Sequence, residues 1–128
     1  MVEVSFSEFR HGDLAQPTCC IEKYEILGDY FTMGLHSTRQ PLVQTLAACK
    51  KIAAGTLTSF SAGGSEAHVV TVSRPTVVIE RTYLTDAAEP YEWQECRVPF
   101  DVFFQALTKW REHVRQFEKR MRDSASRG

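Results

Sequence analysis

The stretch that decides the fold is PFDVFFQALTKWREHVRQFEKRM, residues 99–121. Its apolar side chains recur at alternating steps of four and three residues, which places them along one face of an α-helix. The members of this stripe are Phe103, Leu107, Trp110, Val114, Phe117 and Met121. Pro99 suits a first turn and Asp101 complements the positive end of a helix. We therefore predict a helix over about 99–122 whose apolar face must be covered by another surface.

Strand patterns fill much of the preceding chain. Residues 2–9, VEVSFSEF, alternate between apolar and polar side chains, as a strand with one wet face does. The segments 56–62, 67–73, 76–84 and 91–98 are also predicted strands, and 76–84, TVVIERTYL, has the strongest pattern. A strand is also predicted over 18–27 and a short one over 30–35, with a tight turn at Gly28-Asp29 between them.

A second helix is predicted over about 41–54. Ser37 or Thr38 can cap it, Pro41 fits its first turn, and Gly55 is suited to end it. The order of elements predicts an α+β fold in two layers, with both helices packed on an antiparallel, strongly twisted β-sheet. We expect a single domain over residues 1–123 and a frayed tail over 124–128.

Composition indicates a folded, globular chain. It has 128 residues, 43% of them hydrophobic and 24% charged. No apolar run approaches the roughly 20 residues that a membrane span needs, and the start MVEVSFSEFR lacks the basic and apolar blocks of a signal peptide. We expect a cytosolic protein that does not bind membranes, whose cysteines are reduced thiols. These cysteines are Cys19, Cys20, Cys49 and Cys96.

The net charge of −1 hides an asymmetry. From Leu107 to the end, the chain has seven of its 15 Lys/Arg residues and three of its 16 Asp/Glu residues, a charge of +4. The part before Leu107 has eight Lys/Arg and thirteen Asp/Glu residues, a charge of −5. An acidic body is better suited to a basic protein than to nucleic acid. On charge alone, the predicted partner-binding residues are Asp86, Glu89, Glu92 and Glu95, with Glu22, Glu25 and Asp29.

Motifs for metal and cofactor chemistry are missing from the sequence. No HxxxH, CxxC or HExxH spacing occurs, and we predict neither a metal nor a cofactor. A thiol nucleophile at Cys19 or Cys20 with His11 as its base would need an oxyanion loop that the sequence does not supply. Buried structural thiols are the favoured interpretation.

The carboxylate pairs and the glycine-rich point also have plain structural interpretations. Glu22/Glu25 and Glu92/Glu95 have odd spacing, so the members of each pair would face opposite sides of a strand. Gly63-Gly64-Ser65 lacks the lysine of a phosphate-binding loop and favours a hairpin turn.

The final helix has two alternative uses. Its polar face from Lys109 to Arg122 has basic residues but no aromatic residues between them, so direct nucleic-acid binding is not predicted. Its apolar stripe could pair with that of a second copy as a coiled-coil seam, giving a homodimer through the C-terminal helix. Burial of the stripe on the protein's own sheet is the favoured alternative.

The layout resembles that of small cytosolic immunity proteins of contact-dependent growth inhibition systems. The segments that carry the resemblance are VEVSFSEF, IEKYEILGDYF before the helix PLVQTLAACKKIAAG, and AHVVTVSRPTVVIERTYL. The resemblance implies a non-enzymatic protein that binds and neutralises the toxic C-terminal domain, often a nuclease, of a cognate effector. It transfers no residue roles. The alternative hypotheses are a self-associating interaction or assembly module without catalysis, and a small enzyme with no recognisable motif.

Overall fold

The computed structural model describes residues 4–12, 14–35, 40–62, 68–84 and 91–127; at 11, 14, 82–84, 91–94 and 125–127 only the backbone is described. The helices are α1 (Glu25–Gly34), α2 (Leu42–Ala53) and α3 (Phe100–Arg127). The strands are β1 (Val4–His11), β2 (Leu14–Ile21), β3 (Ser59–Ala62), β4 (His68–Ser73), β5 (Thr76–Leu84) and β6 (Tyr91–Pro99). All pairs among the described strands are antiparallel: β1 and β2 form a ribbon, and the other four described strands form a sheet in the order β3-β4-β5-β6. The predicted α+β class is confirmed.

Two details of the predicted architecture are wrong. The described strands form two separate sheets, and a third helix, α1, replaces the strand predicted over 30–35 and the end of the one predicted over 18–27. Leu27, Tyr30 and Phe31 are fully buried on one side of α1, which is helical spacing. The Gly28-Asp29 pair lies inside this helix and forms no turn between strands.

Gly28 is required by the close approach of α1 to β2. A Cβ built at this glycine would lie 2.8 Å from the carbonyl oxygen of Cys19 and 3.3 Å from the Cα of Cys20. Backbone atoms cannot move aside as a flexible side chain can, so only glycine lets the helix lie this close to the strand. The glycine is visible in the sequence, but its role depends on a contact between elements.

The predicted second helix is confirmed as α2, within about a residue at each end. Gly55 has φ +80°, and its N–H donates to the Ile52 carbonyl at 3.1 Å. The N–H of Thr56 donates to the Lys51 carbonyl at 2.9 Å, which completes a Schellman C-cap. The predicted capping residues Ser37 and Thr38 lie outside the described residues.

The apolar stripe of α3 is covered by the protein itself. Phe103, Leu107, Trp110 and Val114 are fully buried and Phe117 nearly so, whereas Met121 is 37% exposed. The Trp110 indole Nε1–H donates to the Leu35 carbonyl at 2.6 Å. Most of the apolar stripe is therefore not exposed for coiled-coil pairing with a second copy. Helix α3 continues to Arg127, past the predicted end at 122 and through residues expected to be a frayed tail.

The β1–β2 ribbon lies against the second half of α3. Phe6 stacks on the His113 ring with 4.8 Å between ring centroids, and His113 Nε2 lies 3.2 Å from the Ser7 carbonyl oxygen. The Glu8 carboxylate forms ion pairs with Arg10, at 3.1 Å, and with Arg120. Desolvation raises the pKa of Glu8, but Arg10 and Arg120 outweigh it, so the pKa lies below the usual 4.5. Part of the basic helix end is thus used to hold the ribbon.

One face of the four-stranded sheet carries the core and the other is open. Along β4, Val70 and Val72 are fully buried, whereas Val69 is 52% exposed and Thr71 faces outward with it. In the part of the chain that the structure describes, no helix combines the length and apolar character needed to cross a membrane.

Candidate partner-binding surface

The structure describes the side chains of four of the seven predicted partner-binding residues. Glu22 lies in the turn after β2, Glu25 is the first residue of α1, Asp29 lies in α1, and Glu95 lies in β6. Glu92 also lies in β6, but only its backbone is described. Asp86 and Glu89 lie outside the described residues.

A tight turn between β2 and α1 positions Glu22 and Glu25. The Tyr24 N–H donates to the Ile21 carbonyl at 3.1 Å, and Lys23 has φ +71°. Ile21 is fully buried, while the side chains of Glu22 and Glu25 are exposed. Glu25 stands in the first helical turn, where the helix dipole favours a negative charge. The prediction that Glu22 and Glu25 face opposite sides of one strand is therefore wrong.

An open groove of about 520 Å³ brings Glu25 and Glu95 together from distant parts of the chain. The described residues that line it are Lys23, Glu25, Ile26, Glu95 and Cys96. The groove runs between the start of α1 and β6, with two carboxylates against one lysine. We call it the α1–β6 groove.

The charges on β6 extend this acidic surface onto the open face of the sheet. Glu95 lies directly across from Glu80 of β5, so both side chains are on the same face. Arg97 forms an ion pair with Glu95 at 3.3 Å, and both side chains are about half-exposed or more. Sequence reasoning did not select Glu80, because its neighbours depend on the strand register. Its alternation in TVVIERTYL is the only signal that the sequence offers.

Asp29 does not join Glu25 and Glu95 in the groove. Its carboxylate forms an ion pair with Arg81 of β5, and Arg81 is opposite His68 of β4 in the strand register. His68 is only 5% exposed, and its ring lies 5.4 Å from that of Tyr30. Burial lowers the pKa of His68; the Asp29 charge raises it and the Arg81 charge lowers it further. Asp29 thus belongs to a polar contact between α1 and the sheet.

The four thiols are free, and three have a raised pKa. Cys49 is buried, Cys19 and Cys96 are half-buried, and Cys20 is exposed. Burial raises the pKa of Cys49 to about 12; burial, then the neighbouring Cys20, raises that of Cys19 to about 12. Burial also raises the pKa of Cys96, against a backbone hydrogen bond with Leu27. These three thiols stay protonated at neutral pH and are poor nucleophiles.

Metal-ligating side chains do not converge in the described part of the chain. Within it, no group of three or more His, Cys, Asp or Glu residues could hold a metal ion. The side chain of His11, the suggested base for Cys19 or Cys20, is not among those described.

The basic face of α3 is partly neutralised by its own neighbours. Arg115 donates to the Glu112 carboxylate at 2.7 Å, and Arg120 is engaged by Glu8. These contacts reduce the positive charge available for phosphates. The α1–β6 groove is therefore a better candidate for a charged binding surface than the basic face of α3.

Comparison of the chain with protein families, with curated proteins and with solved structures finds no match.

Proposed function

We propose that the protein is an immunity protein, which binds and neutralises the toxic C-terminal domain of a cognate effector in the cytosol. The observation that carries the proposal is the α1–β6 groove, where Glu25 and Glu95 line one opening. The resemblance in layout to immunity proteins of contact-dependent growth inhibition systems supplies the biological role. The proposed mode of action is binding alone.

The charge of the groove suits a basic partner. A nuclease domain must approach phosphates and is commonly basic on the surface that does so. Carboxylates at Glu22, Glu25 and Glu95 would attract such a surface and orient it during encounter. A nuclease domain is therefore the favoured target of neutralisation.

The backbone positions of Glu25 and Glu95 are fixed by the fold, which suits an inhibitor. Glu25 is held at the start of α1 by the turn from Ile21 to Tyr24, and α1 is held against β2 at Gly28. Glu95 stands on a strand paired with β5 over its whole length. Little backbone entropy would therefore be lost at these two positions when a partner binds.

Charge reversal in the groove tests the proposal. The protein is mixed with the polypeptide encoded beside it, and the association rate is measured at low and at physiological salt. The variant Glu25→Lys/Glu95→Lys should associate about tenfold more slowly at low salt, with a weaker salt dependence. Asp123→Lys is the single-site control, because it reverses an exposed acid on α3, away from the groove.

Toxicity gives the second readout. Co-expression of the wild-type protein should rescue growth against its neighbour, and the groove variant should rescue it poorly. Full toxicity in the presence of the wild-type protein would refute neutralisation. Equal association by the groove variant and by wild type would remove the groove from the interface.

A further inference from the structure

Strand β6 is an edge strand among the strands that the structure describes. The sheet order ends with it, and its pairing with β5 runs from Tyr91 to Pro99. One row of its backbone N–H and C=O groups therefore points away from β5. Long, exposed edges of this kind are templates for pairing with another strand.

Two of the described side chains on this strand are charged and exposed. Glu95 and Arg97 are two residues apart and so lie on the same face of the strand, with side-chain exposures of 48% and 67%. Cys96 lies between them and points to the opposite face. In a single copy, Arg97 folds back on Glu95 at 3.3 Å. An exposed pair of this kind is worth little and is easily exchanged for another partner.

The spacing of the two charges makes the edge self-complementary in one register. Two copies related by a twofold axis perpendicular to the sheet would pair β6 with β6 antiparallel, keeping the helices on one side. If Cys96 lies on the axis, Glu95 of each copy stands directly opposite Arg97 of the other. Centring the pair on Glu95 or on Arg97 instead would place two like charges opposite each other.

We propose that this edge pairs with a second copy of the chain, with Cys96 on the twofold axis. The product is a continuous eight-stranded antiparallel sheet with two symmetric Glu95–Arg97 contacts on its open face. Strand pairing alone buries less area than a permanent dimer needs, so the dimer is a reversible one. The proposal does not depend on the proposed function, and its test needs no effector.

Charge variants at the two positions test the pairing. Sedimentation velocity over a concentration series should show wild type in a monomer–dimer equilibrium. Glu95→Arg places a second arginine opposite Arg97 of the other copy, and Arg97→Glu places a second glutamate opposite Glu95. Each single variant should dimerise at least about tenfold more weakly, because two attractive cross-strand contacts become repulsive. Asp123→Lys, which reverses an exposed acid on α3 away from β6, is the control and should dimerise as wild type does.

Two complementation experiments identify the register. The double variant Glu95→Arg/Arg97→Glu restores opposite charges and should recover dimerisation to near the wild-type level. A mixture of the two single variants should form a heterodimer, although each alone is mainly monomeric. Far-UV circular dichroism confirms that every variant is folded.

Several results would overturn the proposal. Wild type that stays monomeric at every soluble concentration excludes the pairing. A dimer that both single variants leave unchanged lies on another surface, such as the exposed end of α3. Loss in the single variants with no recovery in the double variant or the mixture excludes this register.

Discussion

Replacing Trp110 by phenylalanine tests how the core joins three elements of the fold. Trp110 is fully buried on α3, its ring lies 6.1 Å from that of Phe31 on α1 and 5.9 Å from that of Phe6 on β1, and its Nε1–H donates to the Leu35 carbonyl. The change removes about three buried ring atoms, whose burial contributes roughly 2 kcal/mol to the free energy of unfolding. Losing the indole donor to a buried carbonyl adds about 1–2 kcal/mol. We expect Trp110→Phe to lower the free energy of unfolding by about 3–4 kcal/mol.

The matched control is Phe31→Leu. It also removes about three buried ring atoms from the same stack, but it leaves the bond from Trp110 to Leu35 in place. We expect it to cost about 2 kcal/mol, so the difference between the two variants isolates the hydrogen bond.

Urea unfolding followed by far-UV circular dichroism measures both variants. With a slope of about 1.5 kcal/mol per molar urea, the Trp110→Phe midpoint should fall by about 2 M, a large part of the total stability of a small domain. If Trp110→Phe costs no more than Phe31→Leu, the hydrogen bond contributes nothing. A loss below about 1 kcal/mol would refute the account of Trp110 as the residue that joins α1, β1 and α3 in the core.

Three further predictions concern packing, pH and thiol reactivity. Gly28→Ala should lower the free energy of unfolding, measured in urea, by about 1–2 kcal/mol, because the Cβ of alanine would lie 2.8 Å from the Cys19 carbonyl oxygen. Alanine has the better helix propensity, so a gain in stability would show that this contact is not limiting. The pKa of buried His68 lies below its usual 6.5, so as the pH falls this histidine is protonated in the unfolded chain before it is protonated in the folded one. Protonation therefore favours the unfolded chain, and the melting temperature should fall as the pH drops below about 6.5. That part of the fall should be absent in His68→Gln. Ellman's reagent should label Cys20 within the native protein and Cys49 only on unfolding, since burial shields Cys49 and raises its pKa to about 12.

The elements predicted correctly are those with several agreeing local signals. Helix α3 has a long apolar stripe and matching charges at its ends, and the stripe is buried from Phe103 to Phe117. Helix α2 ends at Gly55, where a positive φ needs glycine. Strand β5 alternates between buried and less buried side chains, as its sequence suggests. In each case the local chemistry and the tertiary packing favour the same structure.

Helix α1 is not predicted because its local signals are weak or misleading. It has ten residues, no side-chain cap at Tyr24, and a Gly-Asp pair that is typical of turns. Before it, Lys23 takes a positive φ that glycine or asparagine would adopt more easily. The helix is stabilised by Leu27, Tyr30 and Phe31 in the core, and that support depends on distant elements.

The candidate site shows the same division between local and long-range information. Charge alone selects Glu25 and Glu95, but only the fold places both at one groove. Charge alone also selects Asp29, which the fold pairs with Arg81. The ion pair could not be predicted because it requires both the unpredicted α1 and the strand register of β5.

The Glu80–Glu95 pair is a place where side-chain chemistry opposes the fold. Two carboxylates stand directly opposite each other on neighbouring strands, which is unfavourable, and the nearby Arg97 offsets this only from an exposed position. A positive charge brought from outside would relieve the repulsion. The basic effector domain proposed at the α1–β6 groove would supply one, whereas pairing of two β6 edges exchanges the Arg97 of one copy for that of the other. Because Glu95 takes part in both, its variants cannot separate partner binding from self-association, whereas Arg97→Glu, which keeps both groove carboxylates, should weaken self-association alone.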